Sequence, residues 1–157
     1  MELYVYRHAM MGSRGNSDKE DPGLSEIGKE QVAGLQPLAR ALNINPEIIL
    51  ASSLRRAKET AELARELFWG KSKIMESGAL LPEADLKELY SELNNLGGPK
   101  QVVLVTHYPL IKELVSDMLG FEFKSELLNG SLMRVDFQEK VSSSKGSLIS
   151  IITPSAP

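Results

Sequence analysis

Cysteine is absent from this sequence. Disulfides, thiolate catalysis and cysteine-held metals are therefore excluded, and the chain fits a reducing compartment. Histidine occurs twice, as His8 and His107. Imidazole chemistry must use these two, and a three-histidine metal site cannot form. Basic residues are not in excess: net charge is −3 and the pI is near 5.5, which argues against nucleic acid as a partner. No apolar run approaches the roughly 18 residues of a membrane span, so no membrane partner is expected. The start, MELYVYRH, has neither a cationic region nor a long apolar one, so a cytoplasmic protein is expected.

A hydrophobic fraction of 42% with 25% charge is that of a globular chain, and 157 residues fit one domain. Residues 2–6 read as a strand of apolar and aromatic side chains. Residues 7–23, rich in Gly, Ser, Asn and Asp, read as a long loop. A helix over 24–42 carries Leu24, Ile27, Val32, Leu35, Leu38 and Leu42 along a stripe, with Ser25 as N-cap and Pro37 expected to kink or split it. A strand over 46–52 leads into an Ala- and Glu-rich helix over 53–68. An extended piece near 73–76 and a helix over 82–96, opening on Pro82, come next. "QVVLVTH" at 101–107 is the clearest buried strand. The helix over 109–120 closes on Gly120, and strands at 131–138 and 147–153 form a hairpin-like end, with 154–157 as a frayed tail. The pairs Phe121–Phe123 and Leu127–Leu128 are expected in the core or at its edge, with a partner surface as the alternative. This alternation predicts an α/β fold: a three-layer α/β/α sandwich on a mostly parallel sheet, spanning 1–157 as one domain.

In such sheets, ligands sit beyond the carboxyl ends of the strands. Three strand ends here carry unusual side chains. The first ends on Arg7-His8, the second runs into a helix opening with Arg55-Arg56, and the third ends on Thr106-His107. Arginine offers a planar fork of donors for phosphate oxygens. Two cations in a helix's first turn oppose its dipole, a conflict removed if one of them points at an anion. Neutral imidazole is a competent nucleophile toward phosphorus, and a protonated one stabilises developing charge. Together these residues imply a dianion site with a histidine placed to attack it.

"RHA" at 7–9, "SSLRRAKET" at 52–60 and "VTHYPL" at 105–110 resemble the motifs of the histidine phosphatase superfamily, the phosphoglycerate mutase-like fold, and within it the SixA-type protein-histidine phosphatases. The resemblance covers roughly residues 2–120. It implies His8 as the nucleophile that becomes phosphohistidine. Arg7 and Arg56, rather than Arg55, would hold the phosphoryl oxygens, and His107 would complete the pocket. It also implies no metal and no organic cofactor. Ala9 replaces the family's glycine, which strains the backbone only if φ is positive there.

The general acid has two candidates. Asp18 matches the SixA-type pattern, and Glu83, just after Pro82, matches many other members. A phosphohistidine substrate needs the acid less, because its leaving imidazole can take its own proton. The segment between the arginine helix and "VTH" is short, so no large cap insertion is expected over the crevice. An open crevice suits a phosphohistidine carrier protein, and the 7–23 loop could close on it with Gly12 and Gly15 as hinges. The alternatives are a small-molecule phosphomonoesterase acting on a sugar or nucleotide phosphate, and a phosphate-binding module without turnover.

Overall fold

A computed structural model describes residues 1–13 and 21–155. The order is β1 (Glu2–Arg7), α1 (Glu26–Ala41), β2 (Ile48–Ala51), α2 (Arg55–Leu67), β3 (Lys73–Glu76), a 3-10 turn (Gly78–Leu80), α3 (Leu86–Asn94), β4 (Gln101–Thr106), α4 (Leu110–Leu119), β5 (Leu132–Asp136) and β6 (Ser147–Ile152). The strands form one six-stranded sheet in the order β3-β2-β4-β1-β5-β6. β3, β2, β4 and β1 run parallel, while β5 is antiparallel to both of its neighbours. The expected mostly parallel sheet is therefore mixed at its β5 side.

The central strands are buried on both faces, which is why they read as unbroken apolar runs rather than alternating ones. Leu3, Val5, Leu50, Val102 and Leu104 pack toward α3 and α4. Tyr4, Tyr6, Ile49, Val103 and Val105 pack toward α1 and α2 with Trp69. Each fully buried Leu or Val contributes about 1.5–3 kcal/mol relative to exposure. These two apolar layers fix the sheet between the helix pairs.

Several local expectations shift. α1 starts from Ser25, whose Oγ accepts the Gly28 N–H at 3.0 Å. Pro37 stays inside α1 without splitting it. The buried face of α1 is Gly28, Val32, Leu35 and Ala39, whereas Ile27, Leu38 and Leu42 are exposed. Small residues at 28 and 39 bring the backbone close to its neighbours, so the contact face lies beside the widest apolar stripe. α3 starts at Leu86 instead of Pro82, because Asp85 caps it by accepting the Lys87 N–H at 2.9 Å. Phe123 and Leu127 are buried, but their companions Phe121 and Leu128 are exposed. Pro154, expected in a frayed tail, is buried beside Gly34 and Gly130.

The register of the sheet positions the strand ends. β1 and β2 both flank β4, with Arg7 paired to Thr106 and Ala51 to Val105. Three chemically unusual strand ends, distant in sequence, therefore finish side by side at one level of the sheet.

Candidate active site

His8 follows the last residue of β1 and is held by backbone from three directions. Its N–H donates to Thr106 O at 3.0 Å, and its carbonyl accepts from Gly130 N at 3.2 Å. The Asn129 side-chain amide donates to the same carbonyl at 3.2 Å. Gly130 sits at φ 75°, the left-handed region that glycine tolerates, and so reaches the Arg7 and His8 carbonyls together. The next residue, Ala9, is buried, and its N–H donates to Thr60 Oγ1 at 3.0 Å. Thr60 Oγ1 donates to Arg56 O at 2.7 Å, tying the α2 arginine to the loop after His8. The positive-φ residues other than glycine, among the described residues, are Asn43 and Ser144. Ala9 thus replaces the family's glycine without backbone strain.

Hydrogen bonding assigns the tautomer of His8. Nδ1 lies 2.7 Å from Ala9 O, an atom that only accepts, so Nδ1 carries the proton. Arg56 Nε donates to His8 Nε2 at 3.1 Å, so Nε2 presents a lone pair. Burial first, then the charges of Arg56, Arg7 and His107, lower the His8 pKa to about 4, against the opposing pull of the Ala9 carbonyl. The ring is neutral at pH 7, with its free electron pair aimed at the cavity side where Arg56 lies.

His107 follows β4 and is buried. Thr106 Oγ1 commits its proton to Leu80 O at 3.0 Å, so it accepts from His107 Nδ1 at 3.2 Å. Burial and the Arg56 charge lower the His107 pKa. His107 Nε2 is buried without a hydrogen-bond partner among the described residues, and so is Arg7 Nε. Orphaned buried polar atoms cost about 1–3 kcal/mol each. Two of them in one place mark where a ligand rich in hydrogen-bonding oxygens would be welcome.

A cavity of about 530 Å³ brings these groups together. Arg7, His8, Arg56, His107, Tyr108 and Asn129 line it with residues 10–13. Two guanidiniums and no carboxylate face it among the described residues. Arg56 is 13% exposed at its side chain and Arg55 is 63% exposed, so the second arginine of the pair is the one turned inward. The conflict of cations with the α2 dipole has a structural answer as well. Leu54 offers no side-chain cap, but Asp21 accepts the Arg55 N–H at 2.8 Å and stands 3.7 Å from Arg56 Nη1.

Of the residues named from sequence, Arg7, His8, Arg56 and His107 come together. Glu83 is exposed and lines a separate concavity with Gly78, Leu81, Pro82 and Ala84. Asp18 and the proposed hinge Gly15 lie outside the described residues. The ends of the 7–23 loop are pinned: Met11 bridges Leu24, and Gly12 N donates to Gly23 O at 2.8 Å. Sequence reading gave no role to Tyr108, Asn129, Thr60 or Asp21. Thr60 and Tyr108 stood in quoted motifs, and Asn129-Gly130 is a turn pair, so three of the four had a local signal.

Residues 3–77 match the family model of the histidine phosphatase superfamily (branch 1), a span that carries both the Arg7-His8 and the Arg56 segments. The first half of the chain is thus similar to the histidine phosphatase superfamily. The chain's fold is shared with the protein histidine phosphatase SixA, solved with tungstate: TM-score 0.86 and 20% identity, over 98% of this chain and 97% of that one. It is shared also with an α-ribazole phosphatase from Shigella flexneri, at TM-score 0.71 and 14% identity over 91% and 94% of the two chains. A mycobacterial glucosyl-3-phosphoglycerate phosphatase has TM-score 0.70 and 20% identity over 94% and 96%. The sequence matches no curated protein. Among the described residues, no helix is long and apolar enough to cross a membrane.

Proposed function

We propose that residues 1–157 act as one phosphatase domain that carries a transient phosphoryl group on His8 Nε2 and takes it from a phosphohistidine side chain of another protein. The observation that carries this reading is a neutral His8 with its Nε2 lone pair beside two inward arginines and two unpartnered buried nitrogens. In this structure, Arg56 Nε–H occupies that lone pair. An arriving phosphoryl oxygen is the stronger acceptor and draws the guanidinium off, freeing Nε2 to attack. The Nε2–P bond forms as the bond from phosphorus to the leaving group breaks. A leaving imidazole whose distal nitrogen is protonated departs neutral, taking the electron pair. Water then attacks phosphorus, Nε2 recovers its pair, and the water proton stays on the released phosphate. Arg7 and Arg56 hold the charge that builds on the oxygens, and His107 joins them once its Nε2 takes up a proton brought in by a monoanionic phosphoryl group. No step needs a metal or an organic cofactor, and the cysteine-free chain suits the cytoplasm.

The protein substrate is favoured by what surrounds the cavity. The chain between α2 and β4 is spent on β3, a 3-10 turn and α3, and none of it lines the cavity. A phosphorylated side chain held out by another protein can enter such a mouth. The likeness to SixA over nearly its whole length supports the same reading. A second reading, a phosphomonoesterase for small metabolites, is favoured by the α-ribazole and glucosyl-3-phosphoglycerate phosphatases that share the fold. Ester hydrolysis needs a proton for the leaving oxygen, which Asp18 would supply, with Glu83 as the other candidate.

The two part in one experiment. The chain is assayed on a phosphohistidine carrier domain, on a phosphoramidate and on p-nitrophenyl phosphate, with His8→Ala, Asp18→Asn and Glu83→Gln beside it. The proposal expects acid-labile label on His8, no turnover by His8→Ala, and little loss on phosphohistidine from either carboxylate variant. Turnover by His8→Ala would end it. Phosphate binding without release from any substrate would leave a binding module.

A further inference from the structure

The arginine of β1 is steered by a contact that its own strand cannot provide. Arg7 Nη1 donates to Leu127 O at 2.7 Å. The N–H of the same residue, Leu127, donates to Tyr108 Oη at 2.5 Å. The Tyr108 ring lies against the Arg7 guanidinium, 4.7 Å from carbon to ring centroid. Guanidinium, phenol and the backbone of one buried residue thus close a ring, since Leu127 is 1% exposed and its N–H and C=O belong to consecutive peptide groups. Given the reading that this cavity takes a phosphoryl group, we propose that Tyr108 is a positioning residue for Arg7. Through the Leu127 peptide and its own ring, it turns one edge of the guanidinium away and presents the other to the phosphoryl oxygens.

The chemistry of the guanidinium supports this directly. With Nη1 committed to Leu127 O, the edge left over is the one made by Nε–H and Nη2–H. That edge grips an oxyanion with two parallel hydrogen bonds. Arg7 Nε is buried and has no partner among the described residues, as expected of a donor kept for a ligand. The pairing of Arg7 with Glu126 at 3.3 Å does not explain the orientation, because that carboxylate is 69% exposed and such pairs are weak. β1 fixes only the start of a side chain with four rotatable bonds, so the far end needs the second anchor that Tyr108 and Leu127 supply.

Two variants separate the parts of the clamp. Tyr108→Phe keeps the ring and removes the acceptor for Leu127 N–H; Tyr108→Leu removes both. Binding of inorganic phosphate is measured by calorimetry, turnover of p-nitrophenyl phosphate by steady-state kinetics, and folding by thermal melting. Tyr108→Phe should weaken phosphate binding and raise KM by roughly threefold to tenfold, with kcat within about twofold, the size of one lost hydrogen bond. Tyr108→Leu should cost on the order of thirtyfold, as the cation–π contact goes too. Phosphate affinity within twofold of wild type in a folded Tyr108→Phe protein overturns the proposal, whatever the melting temperature does. Should Tyr108→Leu fail to fold, Tyr108→Phe decides alone. If the affinities fall as expected but no protein turns substrate over, the clamp stands and the proposed function falls. A wild-type chain that binds no phosphate ends both.

Discussion

The depressed pKa of His8 makes this buried histidine a liability in acid, and the cost can be worked out. Unfolded, this imidazole titrates near the ordinary value of 6.5; folded, burial and the neighbouring arginines hold it at about 4. As pH falls below 6.5, the unfolded chain takes up a proton that the folded chain refuses. The equilibrium then shifts toward unfolding. The contribution is fully present above pH 6.5 and is lost progressively as pH falls to about 4. At about 1.4 kcal/mol per pH unit, the full loss is ~3 kcal/mol and the part lost by pH 5 is about 2 kcal/mol. Urea unfolding followed by circular dichroism at pH 7.5, 6 and 5, for wild type and His8→Asn, isolates the effect, because all other groups titrate in both proteins. Wild type should lose about 2 kcal/mol more than the variant between the first and last pH. A difference between the two that stays flat to within about 0.5 kcal/mol would show that His8 is not held neutral by its surroundings. The same shift places the free enzyme's acidic limb of kcat/KM due to His8 below pH 5 rather than near 6.5.

Removing the carboxylate that caps α2 from a distance, with Asp21→Ala, should cost about 1 kcal/mol of stability, while Asp21→Asn keeps an acceptor and should cost less than half of that. Thermal unfolding of the pair checks this; equal stability of Asp21→Ala and wild type would mean that the Arg55 N–H finds water as readily. At Gly28 an added Cβ would stand 2.1 Å from Met10 O, an atom that also accepts from Ser25 N and Ser25 Oγ at 3.0 Å. Gly28→Ala should therefore push α1 off the segment behind His8, at ~2 kcal/mol or more, with a fall in phosphate affinity. Denaturant curves and calorimetry would refute it if both stayed at wild-type values.

How much of the structure is legible in the residues varies from element to element. The β4 run QVVLVT and the Ala-rich α2 declare themselves, because a doubly buried strand and a helix with alanine on its packed face each need their pattern locally. The apolar stripe locates α1 and finds half of its packed face in Val32 and Leu35, but Ile27, Leu38 and Leu42 fit the stripe and stay exposed while close approach selects Gly28 and Ala39. The start of α3 differs because Pro82 is a good first residue for a helix, yet the side chain that accepts the orphan N–H is Asp85. In the site, Arg7, His8, Arg56 and His107 can be named because each sits at a strand end or a helix start. The roles of Tyr108, Asn129 and Asp21 are not legible in the sequence even where a local signal marks the residue, as they depend on partners between 19 and 121 residues away.

The linear chain alone settled which chemistry was available: no thiol, two imidazoles, and arginines placed where strands stop and helices begin. Folding decided which of those groups meet. Pairing β1 and β2 with opposite sides of β4 places the two histidines at one sheet end, and only the packed neighbourhood strips the proton from His8 and turns Arg56, not Arg55, inward. The reason is range: hydrophobic pattern and capping act over a few residues, whereas burial, tautomer and guanidinium orientation come from atoms that only the completed fold brings within hydrogen-bond reach.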